Sequence, residues 1–97
     1  VRGREIRRVL DEGRASHGER VVVFLAPGSG DAAMIAGKKV GKAVQRNRAR
    51  RVLRAAWPSV SHLAPDADAV LVARARILDA KTQDLVDEMT HLVGGSR

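Results

Sequence analysis

The sequence predicts an α+β protein, a small two-layer α/β sandwich in which helices cover one face of a mixed sheet. Three observations carry that expectation. Segments with helical hydrophobic periodicity alternate with short β-branched apolar runs, in the order helix, strand, strand, helix, strand, helix. The second and third strands are joined through a helix, a β-α-β unit whose default hand is right. The 97 residues, 44% of them apolar and none of them cysteine, are enough for one compact core and too few for two. Residues 1–97 are therefore read as a single domain.

Each element follows from its residues. Arg4 to Gly13 sets Ile6, Val9 and Leu10 at i, i+3 and i+4 among Arg and Glu, a short amphipathic helix that Gly13 ends. Arg20 to Ala26 (RVVVFLA) is a strand, stopped by the loop Pro27-Gly28-Ser29-Gly30-Asp31. Ala32 to Lys39 is expected as a second strand, antiparallel to the first. Gly41 precedes a helical pattern that runs through Trp57 and ends at Pro58. On that helix Val52, Leu53, Ala56 and Trp57 fall within about 80° of Ala49, while Asn47, Arg48, Arg50, Arg51 and Arg54 occupy the opposite arc. Ser59 to Pro65 reads as a loop and Ala67 to Arg74 as a buried strand. Thr82 to Val93 carries Leu85, Val86, Met89, Leu92 and Val93 at helical spacing, with Gly94-Gly95 as the stop.

Charge is distributed unevenly along this framework. The net charge is +7, but residues 1–54 hold 14 basic and 5 acidic side chains, against 4 and 6 in residues 55–97. Between Lys38 and Arg54 stand eight cations, Lys38, Lys39, Lys42, Arg46, Arg48, Arg50, Arg51 and Arg54, and no carboxylate. A solvated helical face normally carries Glu partners at i, i+4. Their absence leaves mutual repulsion that a polyanion would relieve, and the paucity of bulky apolar anchors favours nucleic acid over a membrane surface. Arginine predominates on the helix itself, and its planar fork suits bidentate phosphate contacts. The lead-in from Gly37 to Gly41 allows backbone N–H groups to approach phosphates as well.

Other chemistries find less support. Gly37 and Gly41 are separated by three residues, and Ala43 follows Lys42, whereas a P-loop needs four residues and a Ser or Thr. His17, His62 and His91 are isolated from one another and from carboxylates, so no catalytic or metal-ligand spacing is present. Asp66 and Asp68 read as turn-forming aspartates ahead of a strand. Trp57 reads as a core anchor, and Phe24 is equally compatible with the core or an exposed sheet face. The longest apolar run, Val21 to Pro27, is far short of the roughly 18 residues that suggest a membrane span, and a soluble, cytoplasmic protein is expected. Scarce aromatics, one Phe and one Trp with no Tyr, argue against a protein that holds single strands mainly by stacking.

The segment KKVGKAVQRNRARRVLR, Lys38 to Arg54, resembles the signature of the bacterial ribonuclease P protein subunit, with Arg46-Asn47-Arg48 matching its Arg-Asn-Arg core. Arg4 to Arg14 is similar to that family's first helix, and Asp68 to Arg74 to its Asp-apolar-Ala-Arg strand. The resemblance implies a mixed sheet of about four strands, with the basic helix in a left-handed crossover in place of the default hand. It implies a protein with no catalytic side chain, the cofactor of a ribozyme in which RNA-bound Mg2+ supports removal of the 5′ leader from precursor tRNA. By the same resemblance Lys38, Lys39, Lys42, Arg46, Asn47, Arg48, Arg50, Arg51 and Arg54 contact the catalytic RNA. Hydrogen bonds from Asn47 are expected to orient the two arginines that flank it. The resemblance makes Ile6, Arg7 and Phe24 the candidates to line a cleft for the leader between the first helix and the sheet, and the protein is expected as a monomer in the holoenzyme. Ile6 stands where relatives usually carry Phe, Ala33 where Gly is usual and Gly37 where Ser is usual. The alternatives from other classes are a structural RNA-binding module, such as a ribosomal protein, and a small DNA-binding protein.

Overall fold

The computed structural model describes residues 3–94. Three helices, α1 (Gly3–Glu12), α2 (Ala43–Ala56) and α3 (Thr82–Gly94), accompany four strands, β1 (Arg14–His17), β2 (Val21–Pro27), β3 (Ala32–Ala36) and β4 (Ala67–Ala73). The sheet order is β1-β2-β4-β3. β1 and β4 both run antiparallel to β2, and β3 runs parallel to β4. The mixed sheet of four strands is thus present, with α2 in the connection between the parallel pair.

β4 occupies the middle because it is apolar on both sides. Ala69, Leu71 and Ala73 point into the larger core, where Leu53 of α2, Trp57 just beyond its end, and Leu85 and Met89 of α3 meet Val21 and Val23 of β2. Val70 points to the other face and packs with Val9 of α1 and Ala26 of β2. Helices were expected on one face. That holds for α2 and α3, whereas α1 crosses the opposite face, because its Ile6, Val9 and Leu10 stripe matches the second apolar side of β2 and β4.

The pairing of β3 corrects the sequence reading. β3 is not antiparallel to β2; Ala32 to Ala36 lie beside Ala69 to Ala73, on the far side of β4. The cause is visible in the connecting loop. The carboxylate of Asp68, at the start of β4, accepts the backbone N–H groups of Ser29 and Asp31 at 3.1 Å each. The loop is thereby drawn across the end of β4, and the Asp31 carbonyl accepts the Ala69 N–H at 2.8 Å. Gly28 permits this approach, since a Cβ there would lie 2.1 Å from an Asp68 carboxylate oxygen.

Smaller departures have local reasons. β1 has the polar sequence RASH, which carries no apolar alternation, so only its ladder to β2 makes it a strand. β3 stops at Ala36, and Lys38–Val40 instead form a 3-10 turn that buries Val40. Two further 3-10 turns, Trp57–Ser59 and Ser61–Leu63, fill the expected loop, and a third, Ala75–Asp79, buries Ile77. α3 is helical through Gly94, the last described residue, and the stop expected at Gly94-Gly95 lies partly outside the described residues.

Asp68 is the buried charged residue among those described, and it lies within β4 and not in the turn ahead of it. Arg8 of α1 donates from one η-nitrogen to its Oδ2 at 2.7 Å and from the other to the Pro27 carbonyl at 3.3 Å. Burial raises the pKa of this carboxyl, but the N–H groups of Asp31 and Ser29, the Arg8 charge and the Gly30 N–H outweigh it, leaving it below the ordinary value of 3.8. A depressed carboxyl contributes stability that is fully present above pH 3.8 and lost as pH falls through the lower folded value. Denaturant unfolding across acidic pH should therefore show Asp68→Asn less stable than the native protein near neutrality, with the gap closing below about pH 4. A gap independent of pH would contradict the assignment.

Candidate nucleic-acid interface

The basic helix is set in place from its N-terminal side. Val40 is buried and anchors the lead-in, which leaves Lys38 and Lys39 exposed at the turn surface. Gly41 then adopts φ 139° and ψ −153°, a region open almost solely to glycine. Its missing side chain also makes room for Gln45, whose Oε1 accepts the Lys42 N–H at 2.8 Å, while the Lys42 carbonyl accepts the Arg46 N–H at 2.9 Å. One orphan donor of the helix end is satisfied, and no acidic side chain occupies the first turn to offset the positive end of the helix dipole.

Along α2 the apolar residues Ala49, Leu53 and Ala56 are buried and Trp57 continues the same side, as the periodicity predicts. Lys42, Asn47, Arg48, Arg51 and Arg54 are exposed. Arg46 and Arg50 are half-buried and lean against one flank, which the simple two-face reading missed. The Arg46 Nε–H is buried there and meets no protein acceptor. Among the described residues no carboxylate forms an ion pair with any of the eight cations from Lys38 to Arg54.

Asn47 holds Arg50, not the flanking arginines: its Oδ1 accepts a hydrogen bond from an Arg50 η-nitrogen one turn along. Residues three apart share a helical face, whereas neighbours in sequence point about 100° away, so Arg46 and Arg48 are out of reach. Val44, Asn47, Arg50, Arg51 and Arg54 together line a shallow hollow of about 450 Å³. Val44 is 78% exposed within it, so the hollow offers cationic forks, an amide and one apolar surface.

The second candidate region lies across the sheet. Ile6 and Phe24 are half-buried against the same small cluster, which places both on the α1 side. Arg7 is exposed beside them, 3.9 Å from Asp11 in a solvent-accessible i, i+4 pair. Ile6, Arg7, Leu10 and Asp11 edge a hollow of about 290 Å³. Ile6 and Phe24 thus share one cluster on the face of the sheet away from α2, with Arg7 beside Ile6 on α1, while Phe24 is not among the residues that edge this hollow. Arg8 and Asp68, missing from the residues read as functional, join this region; a lone Asp inside the apolar run ADAVLVAR was the available signal.

A wider concavity of about 800 Å³ lies between the β1–β2 turn and α3, with His17, His91 and Glu88 in its lining. Glu88 is committed there to Arg20 and to the backbone N–H groups of Arg20 and Val21. Among the described residues no group of three or more His, Cys, Asp or Glu side chains is placed to hold a metal ion. No helix among them is long and apolar enough to cross a membrane.

A family model described as Ribonuclease P matches residues 1–96. The chain belongs to the ribonuclease P protein family. It is 38% identical over 91 residues to the ribonuclease P protein component of Nitratiruptor sp., which spans 93% of this chain and 84% of that protein. Identity to the ribonuclease P protein component of Dehalococcoides mccartyi is 35% over 97 residues, covering 97% of this chain and 80% of the relative. Among solved structures, the ribonuclease P protein from Thermotoga maritima superposes with a TM-score of 0.78 at 20% identity, covering 100% of this chain and 96% of that one. The Staphylococcus aureus protein gives 0.78 at 20% identity, with 100% and 93% coverage, so the fold is shared where little sequence is. These relatives support the ribonuclease P reading over that of a ribosomal protein.

In this ribonuclease P protein the geometry around Gly41 is a testable support of the basic helix. Gly41→Ala should cost about 1–3 kcal/mol in urea unfolding, because it forces a Cβ into a glycine-only conformation and against Gln45. Gly37→Ala, at φ −88° with nothing within 4 Å of a new Cβ, should change stability by less than about 0.5 kcal/mol.

Proposed function

We propose that this protein component of ribonuclease P binds the catalytic RNA through α2 and its lead-in, and the 5′ leader of precursor tRNA through the cleft between α1 and the sheet. The observation that carries the reading is the cationic face of α2, which has no carboxylate partner among the described residues. Lys38, Lys39 and Lys42 supply point charges at the helix entrance. Arg46, Arg48, Arg50, Arg51 and Arg54 supply forks for phosphate oxygens, and Asn47 restrains the Arg50 fork without adding charge. Ile6 and Phe24 offer apolar surface to unstacked leader bases, and Arg7 offers a cation to their phosphates.

The division of labour follows from charge. A face with eight uncompensated cations is a poor seat for Mg2+, and Asp68, the buried carboxylate, is already held by Arg8 and backbone N–H groups. The metal that supports hydrolysis is therefore assigned to the RNA, and the protein's part is to screen phosphate repulsion and hold the leader. The protein is assigned to the cytoplasm and acts as a monomer in the holoenzyme.

Added to the ribonuclease P RNA of its own organism at low Mg2+, the purified protein should stimulate precursor-tRNA cleavage. Folded protein that gives no stimulation would sink the proposal. In salt titrations of RNA binding, Arg48→Ala and Arg51→Ala should each reduce the magnitude of the log-affinity against log-salt slope by about 0.7 to 0.9. Unchanged slopes would show that these arginines are only solvated.

A further inference from the structure

Arg8 and Asp68 take no direct part in the function proposed above, yet they tie α1, which carries Ile6 and Arg7, to the sheet. α1 rests on the sheet through few residues. Among the described residues its face of the sheet has three buried apolar members, Val9, Ala26 and Val70, against seventeen on the α2 and α3 face. So small a contact fixes that a helix lies there better than it fixes how far from the sheet it lies. Direction comes from Arg8, whose guanidinium spans the Asp68 carboxylate at 2.7 Å and the Pro27 carbonyl at 3.3 Å. The carboxylate cannot follow the helix, because Ser29 and Asp31 hold its other oxygen. With Asp68 at 10% side-chain exposure and Arg8 at 36%, the pair is shielded from solvent far better than Arg7 and Asp11, at 84% and 69%.

We propose that the Arg8–Asp68 pair is the positioning element of the leader site. It sets the separation of α1 from the sheet, and with it the spacing of Ile6 and Arg7 on α1 from Phe24 on β2, without touching RNA. The proposal rests on the leader reading above, and its test separates the two.

Holoenzyme is reconstituted with native protein, Arg8→Gln and Asp68→Asn, and affinity is measured for precursor tRNA with a short leader and for mature tRNA. The two substitutions change charge in opposite directions. If Arg8 acted on RNA by its charge, Arg8→Gln would weaken precursor binding, and Asp68→Asn, which removes a negative charge beside Arg8, would tighten it. A positioning pair predicts the same sign for both: a loss of about tenfold, or about 1.4 kcal/mol, for the precursor alone. Mature tRNA and the RNA subunit should bind as before, since α2 lies on the other face. Opposite signs, or no loss in either variant, would overturn the proposal. Native holoenzyme with no preference for precursor over mature tRNA would instead remove the leader reading, and the proposal with it. Should Asp68→Asn not fold, Arg8→Lys decides: positioning predicts a loss despite the retained charge, with an unchanged salt slope in Arg8→Gln. Native affinity in Arg8→Lys, with a slope smaller by about 0.7 to 0.9 in Arg8→Gln, would overturn it.

Discussion

A carboxylate inside a strand that is covered on both sides must be neutralised where it lies, because an unpaired buried charge is prohibitively costly. In this protein that constraint falls on Asp68, and its two oxygens are claimed by different parts of the chain. Oδ1 takes the loop after β2, through Ser29 and Asp31. Oδ2 takes α1, through Arg8. The path of the loop carries the chain across the end of β4, so β3 joins the sheet at its far edge and not beside β2. A parallel pair cannot be closed by a tight turn and needs a long crossover, which α2 supplies. The position of the basic helix is thus linked to a single buried charge more than twenty residues beyond its first turn in sequence.

One consequence is a molecule with two separate surfaces. α2 turns its apolar side to the larger core and its arginines outward, while α1 lies on the opposite face of the sheet. The cations of α2 repel one another over distances shorter than the roughly 8–10 Å screening length of physiological salt, so their cost persists in the free protein. Burial of Leu53, Ala56 and Trp57 against the sheet and α3 offsets that cost and keeps the helix formed before any RNA is present. Gly41 and Gln45 complete the arrangement at the helix entrance, where the N-terminal end of the dipole faces outward with lysines and without carboxylates.

Much of this was legible in the residues. The β-branched runs at Val21 to Ala26 and Ala67 to Ala73, and the apolar spacing of α2 and α3, reflect periodicities that burial imposes directly on sequence. The eight cations from Lys38 to Arg54 were equally plain, as was the family signature they belong to. β1 was not legible, because RASH is a strand only by virtue of the β2 ladder beside it. Nor was the commitment of Arg50 to Asn47 or the half-burial of Arg46, since both depend on how far α2 is rolled against the sheet.

By itself the sequence determined the kinds of the longer elements, the core-facing side of each helix, and the stretch of chain that carries the uncompensated positive charge. All are local properties, written in periodicity and composition. Only the tertiary structure decided which strand lies beside which, that α1 takes the other face of the sheet, and that Arg8 belongs to the fold while Arg7 is left to solvent. Those outcomes turn on Arg8 and Asp68, sixty residues apart, finding each other in a site with little access to water. The pairing energy depends on burial, and burial exists only once the chain has folded.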